Sequence, residues 1–278
     1  MLKYFITLVL VVVLLSQVSF AQDIEGSIKS IVEQQSNQYL KSYLQPLSNS
    51  LGISLGSALY HRAYTKGFPR FDIGLSAAYI MIPDEAKTFT FNGQEVSTIY
   101  GGSDNSGIKS FDKSAFFLPI LQANVGLVAN LEATARFAAV NVDYMGDLTI
   151  YGGGLKYGLS DLLPLPMIDF SVQAMYHKFK LGDFIDAGTF SMNLQTSLSI
   201  PVLPIDIYGG LGLDNSTMKV KPSAISGVAS DVSDLTIDGE NGVHFNLGAS
   251  WTFLVFNIHA DYSIGKYNSI GSGVMIVF

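Results

Sequence analysis

Residues 243–253 read VHFNLGASWTF, and residues 256–264 read FNIHADYSI. In both stretches apolar side chains occupy every second position, and polar or small side chains occupy most of the positions between them. The last five residues, 274–278, read VMIVF and repeat the alternation with Val, Ile and Phe. A period of two places successive side chains on opposite faces of a β-strand. The end of the chain therefore predicts consecutive antiparallel strands joined by short turns.

The same alternation recurs through most of the chain. It predicts further strands at residues 51–59, 71–81, 121–127, 133–139, 151–159, 168–177, 190–198 and 205–213. Bacterial single-chain barrels have an even number of strands, so one more strand is expected within residues 88–99. The predicted fold is all-β, an antiparallel transmembrane β-barrel of about 12 strands, with ten and fourteen as the nearest alternatives.

Composition favours a barrel that faces lipid. Charged residues make up 14% of the chain, against roughly 25% in an ordinary soluble domain. After Phe20 there is no apolar run long enough for a membrane-spanning helix. A soluble sandwich with its apolar face inside would use the same alternation. The small, mostly uncharged residues on one face and the aromatic residues near strand ends favour the membrane barrel.

Residues 1–21 predict a signal peptide. Lys3 precedes an apolar run, and Ser19 and Ala21 stand at the minus-three and minus-one positions of a cleavage site before Gln22. The alternative is an uncleaved anchor helix. Cleavage and export would place the protein in the bacterial outer membrane.

Residues 22–46 predict a short amphipathic helix that ends at Pro46, ahead of a barrel formed by residues 47–278. Its apolar residues recur at three- and four-residue spacing, and such a stripe needs a surface on which to dock. That surface is the lumen, where residues 23–44 would act as a plug, or the periplasmic rim, or a partner protein. A leader helix with no gating role is the alternative.

The signal peptide, the alternating strands and the terminal Phe278 resemble the outer-membrane β-barrel proteins of Gram-negative bacteria. In those proteins the terminal aromatic residue helps the barrel-assembly machinery to recognise the chain. The segment from residues 119–121, through LEATARF at 131–137, to GGGLKYG at 152–158 resembles a family of uncharacterised exported barrels common in Bacteroidota. That resemblance implies no known function. In plan, an N-terminal segment before a barrel with a mixed lumen is similar to FadL-type transporters of fatty acids and aromatic hydrocarbons.

The polar face of the predicted strands would line the lumen and carry charges of both signs. The lumen-facing candidates are Asp72, Arg136, Lys156, Asp169, Gln173, His177, Asp206, His244, Asn246, His259 and Asp261. Glu132 falls on the same face of its predicted strand. A barrel of about 12 strands encloses room for a helix or a small ligand.

The hairpin at residues 243–265 carries the residues closest to a catalytic pattern. One register places His244 near Asp261 and Asn246 near His259, with two serines on the same face, which suggests a Ser-His-Asp set or a two-histidine metal site. The alternative is a hydrogen-bonded polar wall, which a lumen supplies in any case. We assign no catalytic residue, metal or cofactor on this basis.

Two function classes are excluded by composition. The absence of Cys excludes disulfides and thiolate chemistry, and the net charge of -7 argues against nucleic acid. The expected function is passive transport or binding of small molecules, hydrophobic ones included. The expected partners are outer-membrane lipid, the barrel-assembly machinery and a small-molecule ligand. The alternatives are a surface anchor or interaction scaffold acting through loops 101–114 and 214–241, and a lumenal hydrolase.

Overall fold

The computed structural model describes residues 24–34, 36–102, 108, 110, 114–142, 146–162, 164–240 and 242–278. The predicted signal peptide lies outside the described residues. Two helices come first, α1 (Ile24–Gln34) and α2 (Asn37–Gly56). The strands are β1 (Phe71–Met81), β2 (Thr88–Phe91), β3 (Gln94–Ser97), β4 (Ala115–Gly126), β5 (Leu131–Val142), β6 (Gly146–Gly158), β7 (Ile168–Leu181), β8 (Ile185–Ser199), β9 (Ile205–Val220), β10 (Leu235–Asp238), β11 (Val243–Phe253), β12 (Phe256–Ile264) and β13 (Ser269–Val277).

Ten strands close into one antiparallel barrel. The order around it is β1, β4, β5, β6, β7, β8, β9, β11, β12 and β13, and β13 pairs with β1 to complete the ring. β10 pairs with β9 outside the ring, and β2 pairs only with β3. The prediction of an antiparallel β-barrel is confirmed, with ten closed strands instead of about twelve.

Two of the stretches that were predicted as barrel strands are not part of the ring, which is why the ring has ten strands and not twelve. Residues 51–56 belong to α2, and the rest of the stretch 51–59 is not a strand. Residues 88–99 contain the separate hairpin β2–β3, which turns at Asn92 and Gly93. Both turn residues have positive φ, 51° and 79°, as a type I′ hairpin turn requires.

The prediction that the N-terminal helix ends at Pro46 is wrong. Pro46 lies inside α2, which continues ten residues further, to Gly56. Proline removes one hydrogen bond from a helix and strains the preceding turn. Here the cost is offset by packing, because every residue from Ser48 to Gly56 is buried. The first barrel strand accordingly begins at Phe71 and not near residue 47.

The barrel wall is apolar outside and mixed or polar inside. Leu121 is 51% exposed while its neighbour Gln122 is 2% exposed. Large apolar side chains of β5 to β9, β11 and β12 are exposed in the same way. A soluble sandwich would bury these residues and expose the polar ones, so that alternative does not describe this fold. No helix in the described part of the chain is long and apolar enough to cross a membrane.

The two ends of the barrel differ. At the turn end the strand connections are residues 127–130, 159–167, 200–204 and 254–255, and the chain ends there. Phe278 stacks on Phe71 with ring centroids 4.6 Å apart, which joins the last residue to the first strand. At the loop end lie the long connections of residues 82–114 and 221–242.

Candidate functional site

The interior of the barrel is occupied by the chain itself. The second half of α2 and the inner segment, which we define as residues 57–66, lie inside the strands, and we call these residues (48–66) the plug. Near the loop end the plug and α1 join a continuous apolar cluster with inward residues such as Ile80, Ile150 and Met218. Towards the turn end the inner segment meets the polar residues of the wall. The interior therefore has an apolar zone and a polar zone.

Arg136 of β5 holds the C-terminal end of α2. Its guanidinium donates to the carbonyl oxygen of Leu55 at 2.8 Å, and to those of Ser57 and Ala58 at 3.2 and 3.4 Å. The last carbonyls of a helix have no partners within the helix and carry partial negative charge. A buried arginine from the barrel wall supplies both the hydrogen bonds and the opposite charge.

A network of buried ion pairs joins the inner segment to the wall at the turn end. Arg62 pairs with Asp72 at 2.7 Å and with Glu132 at 2.8 Å. Lys156 of β6 pairs with Glu132 at 2.8 Å, and Lys66 pairs with Asp72. The backbone N–H of Lys66 also donates to Glu132. Each carboxylate thus contacts two cations, which is the arrangement that burial of charge requires.

The buried charges of the described interior balance one another. The cations are Arg62, Lys66, Arg136 and Lys156, and the anions are Asp72, Glu132, Asp214 and Asp261. All eight side chains are at most 8% exposed. A pore that selects ions by charge is typically lined by side chains of one sign, whereas this interior carries equal numbers of both signs. With the histidines counted as neutral, the formal charges of these eight side chains sum to zero.

The predicted register of the last large hairpin is wrong. Asp261 lies opposite Gly248 and His259 lies opposite Ser250, so His244 and Asp261 are not paired across the strands, nor are Asn246 and His259. The alternation of side chains fixes the face of a strand but not its offset, and a shift of four residues keeps every side chain on its face. The four polar residues all remain buried.

Each of these four residues contacts a residue that belongs to an element other than its own. His244 pairs with Asp214 of β9 at 2.8 Å, and Asp261 accepts from the Tyr208 hydroxyl at 3.1 Å. Asn246 accepts from the Tyr60 hydroxyl at 2.6 Å. His259 stacks on His61 of the inner segment, with ring centroids 4.9 Å apart.

Of the remaining lumen-facing candidates, two lie in the barrel interior and two lie next to the turns. Gln173 is buried and accepts from Gln195 at 2.6 Å. His177 is fully buried and lies over Gly152, where a side chain would approach its ring to 2.2 Å. Asp169 and Asp206 are only partly buried, and they accept from serine hydroxyls next to the turns. No group of three or more His, Asp or Glu suited to a metal ion occurs among the described residues.

A cavity of about 460 Å³ opens at the loop end, and we call it the vestibule. Its volume lies within the usual range for small-molecule sites. It is formed by α2, by the connection after β1, and by the two loops that flank β11–β12. Its lining residues are Ser42, Gln45, Pro46, Asn49, Pro83, Glu85, Ala86, Thr88, Phe89, Thr98, Glu240, Lys266 and Tyr267.

The vestibule has a polar wall built on α2. Gln45 donates to the side-chain oxygen of Asn49 at 3.0 Å, and Asn49 accepts from the backbone N–H of Glu240 at 2.7 Å. Lys266 pairs with the Glu240 carboxylate. Burial raises the pKa of Tyr267 to about 12, so its hydroxyl stays protonated at neutral pH. A ligand in this cavity would contact the helix that enters the barrel.

Comparison with known proteins identifies the family. The model of a family described as "Family of unknown function (DUF6588)" matches residues 1–278, the whole chain. The chain belongs to this family. Among curated proteins, none matches this sequence. The prediction of a barrel family without assigned function is confirmed; the matches do not specify Bacteroidota or the FadL type.

Several solved structures are similar to this member of the family. The translocator domain of the autotransporter NalP from Neisseria meningitidis is 12% identical, with 77% of this chain and 89% of that chain covered and a TM-score of 0.38. Ail of Yersinia pestis, solved with the heparin analogue sucrose octasulfate, is 10% identical over 75% and 97%, with a TM-score of 0.31. The N-terminal β-barrel domain of OprF from Pseudomonas aeruginosa is 13% identical over 77% and 100%, with a TM-score of 0.29.

The interior residues that sequence reasoning missed come mostly from the inner segment. Tyr60, His61, Arg62 and Lys66 supply most of the contacts to the polar wall, yet they follow a stretch that alternates like a strand. One signal was available. In a chain with only 16 Lys and Arg, two of them, with one of its four histidines, stand within the seven residues that follow the predicted strand. Charged side chains are rarely buried unless they are paired, so this concentration of basic residues predicts anions nearby.

Proposed function

We propose that this protein is a closed outer-membrane barrel that binds small molecules at its loop end and does not conduct them freely. The observation that carries the proposal is that the plug fills the interior and is attached at both ends. At the turn end the plug is joined to β1 by residues 67–70, and at the loop end α1 and α2 pack on the long connections. A plug held in this way leaves no open channel.

The membrane location is supported by the surface of the barrel. Exposed leucine, phenylalanine and isoleucine side chains cover its outer face, and charged residues are scarce there. Such a surface is stable in lipid and unfavourable in water. Outer-membrane lipid is therefore the partner that we propose for this surface, and the barrel-assembly machinery is proposed as the partner that inserts the barrel.

The energetics of the interior support closure. Moving the inner segment aside would separate two buried carboxylates of the wall from the two cations of the segment, Arg62 and Lys66, and would leave the end of α2 without Arg136. Breaking one buried ion pair typically costs about 3–5 kcal/mol. Opening would require the sum of several such free energies, so thermal fluctuations rarely displace the segment.

Binding is supported by the vestibule. It offers amide, hydroxyl and charged groups beside Pro46 and Phe89, the combination of apolar surface and a few oriented polar groups that is typical of ligand sites. A small molecule with both apolar and hydrogen-bonding parts suits this lining. The resemblance in plan to FadL-type transporters adds a candidate class, amphipathic acids and aromatic compounds.

Planar-bilayer conductance and liposome swelling test closure. We expect the full-length protein to give no steady conductance and no swelling with small sugars. A chain lacking residues 24–66 is expected to conduct, provided that it still shows heat-modifiable migration on a gel. Steady conductance from the full-length protein would contradict the proposal.

A thermal-shift screen tests the vestibule. The probes are short-chain fatty acids, aromatic acids, amino acids and monosaccharides. We expect at least one class to raise the unfolding temperature of the protein and to lose that effect in Gln45→Ala. The matched control is Lys178→Ala, which removes a partly exposed ion pair with Asp186 between β7 and β8, two strands that do not line the vestibule. A shift that survives Gln45→Ala, Asn49→Ala and Lys266→Ala together would place the ligand elsewhere.

A second candidate function is an anchor or interaction scaffold at the loop end. It is favoured by β10, which lies outside the ring on an extension of β9 and packs against α2. Residues 214–240 thus contain a helical turn and a strand that a partner protein can recognise. Loss of partner binding after shortening of residues 225–234, with the barrel intact and no ligand shift in the screen, would favour this function.

A further inference from the structure

The N-terminal part of the chain passes through the barrel in one direction. α1 lies at the loop end, where Lys29 donates to the carbonyl oxygen of Ser226 and the helix packs against residues 222–224. The first half of α2 follows at the same end. There Tyr39 packs edge-on against Phe89 and Phe91 of the separate hairpin.

The contacts then progress towards the turn end in sequence order. Ser48 donates to the carbonyl of Ile237 in β10, and Ser57 bonds Ser269 at the start of β13. His61 stacks on His259 near the middle of β12. Lys66 pairs with Asp72, the second residue of β1, beside the C-terminus of the chain.

The length of the segment matches the barrel. The buried half of α2, from Ser48 to Gly56, is about 14 Å long at 1.5 Å per residue. The inner segment adds up to about 33 Å when it is extended, so the two together can span the roughly 30 Å hydrocarbon core of a bilayer. The described chain makes one pass from the loop end to the turn end, with no return.

We infer that α1 and the first half of α2 lie on the cell surface, on the opposite side of the membrane from Phe278. In outer-membrane barrels the long connections face outwards and the short turns face the periplasm, and α1 packs on the long connections. The chain therefore crosses the membrane eleven times, ten times as strands and once inside the barrel. This inference concerns topology, and it holds whether or not the vestibule binds a ligand.

Two consequences follow from this path. The N-terminal helices, together with β10 and the hairpin β2–β3, form the outward-facing surface on which a partner would land. The N-terminal segment must also enter the ring either before β13 pairs with β1 or along the barrel axis, because the completed ring offers no lateral entrance.

Cysteine labelling on intact cells tests the inference, since the natural chain has no Cys. Gly26→Cys places a thiol on the exposed side of α1, where an added side chain meets no atom within 4 Å. Glu33→Cys is a second exposed position on the same helix. Asp84→Cys reports the loop end, and Leu162→Cys, at a residue that is 68% exposed, reports the turn end.

The reagent is a membrane-impermeant maleimide, applied before and after permeabilisation of the outer membrane. We expect Gly26→Cys and Glu33→Cys to be labelled on intact cells to the same extent as Asp84→Cys. Leu162→Cys should be labelled at least tenfold less until the membrane is permeabilised. Labelling of the α1 positions only after permeabilisation, together with Leu162→Cys, would overturn the inference. So would labelling of Leu162→Cys alone on intact cells, because that result places the loop end in the periplasm.

Discussion

Glu132 is the residue on which the buried charges of the inner segment and the wall converge. Its carboxylate accepts from Arg62, from Lys156 and from the backbone N–H of Lys66. Replacing it by glutamine keeps the size of the side chain and removes the charge. Two buried cations then lose a counter-ion in a region that water does not reach.

We expect Glu132→Gln to lower the free energy of unfolding by about 3–5 kcal/mol, the usual cost of breaking a buried ion pair by removing one partner. The measurement is urea-induced unfolding in detergent micelles. The matched control is Asp234→Asn, which removes a 2.8 Å ion pair with Lys219 whose side chains are 49% and 39% exposed. That change should cost less than about 1 kcal/mol, because exposed pairs are screened by water. Equal effects of the two substitutions would argue that the inner network does not hold the plug.

At the scale of elements, the junction between α2 and the barrel rests on Arg136. Hydrogen bonds that involve a charged group contribute about 1.5–3 kcal/mol each. In Arg136→Gln the carbonyls of Leu55, Ser57 and Ala58 lose their charged donor, and local opening of residues 57–62 becomes easier. We expect amide exchange there to accelerate roughly 10- to 100-fold.

Hydrogen exchange followed by mass spectrometry measures this effect. Exchange in the hairpin β2–β3 should be unchanged, because it packs on the other end of α2. Arg136→Lys keeps the charge but offers fewer directed donors, so it should show an intermediate acceleration. Acceleration spread evenly over the whole chain would indicate global destabilisation in place of a local role for Arg136.

Sequence predicted the strands well because each one divides its side chains between lipid and interior. In β7, β8 and β12 the alternation fixed both the element and the buried face, Gln173 and His259 included. The offset between β11 and β12 was not predictable, since a shift by an even number of residues leaves both faces unchanged. The face of a residue follows from its neighbours in sequence, whereas its partner across the strands does not.

The helix inside the barrel was misread for a physical reason. A helix exposed on one side shows a period of 3.6 residues, but a helix that is surrounded has no polar side to mark it. Residues 51–59 alternate large and small side chains, LGISLGSAL, and all of them are buried. The hairpin β2–β3 did carry a local signal, since Asn92-Gly93 is a favoured type I′ turn that separates two short strands.

For the whole molecule, the exposed apolar face makes a prediction that one residue reports. Trp251 is the single tryptophan of the chain, and it lies on the outer face near the turn end of β11, 47% exposed and close to Phe253. Tryptophan is enriched where the hydrocarbon core meets the headgroups. In bilayers of brominated lipid we therefore expect strong quenching of its fluorescence, stronger when the bromine is near the headgroup than when it is near the end of the acyl chain.

A second tryptophan position in the same strand provides the comparison, and no added dye is needed. Trp251→Phe combined with Phe245→Trp moves the reporter six residues towards the loop end of β11, to another exposed position on the same face. Quenching of that variant should shift towards bromines placed deeper in the acyl chain, because the strand is tilted through the bilayer and residue 245 lies farther from the turn end. Absence of quenching at both positions, in protein that still migrates as a heat-modifiable band, would mean that this face does not meet lipid. The exposed leucine and phenylalanine side chains would then have to be covered by another protein.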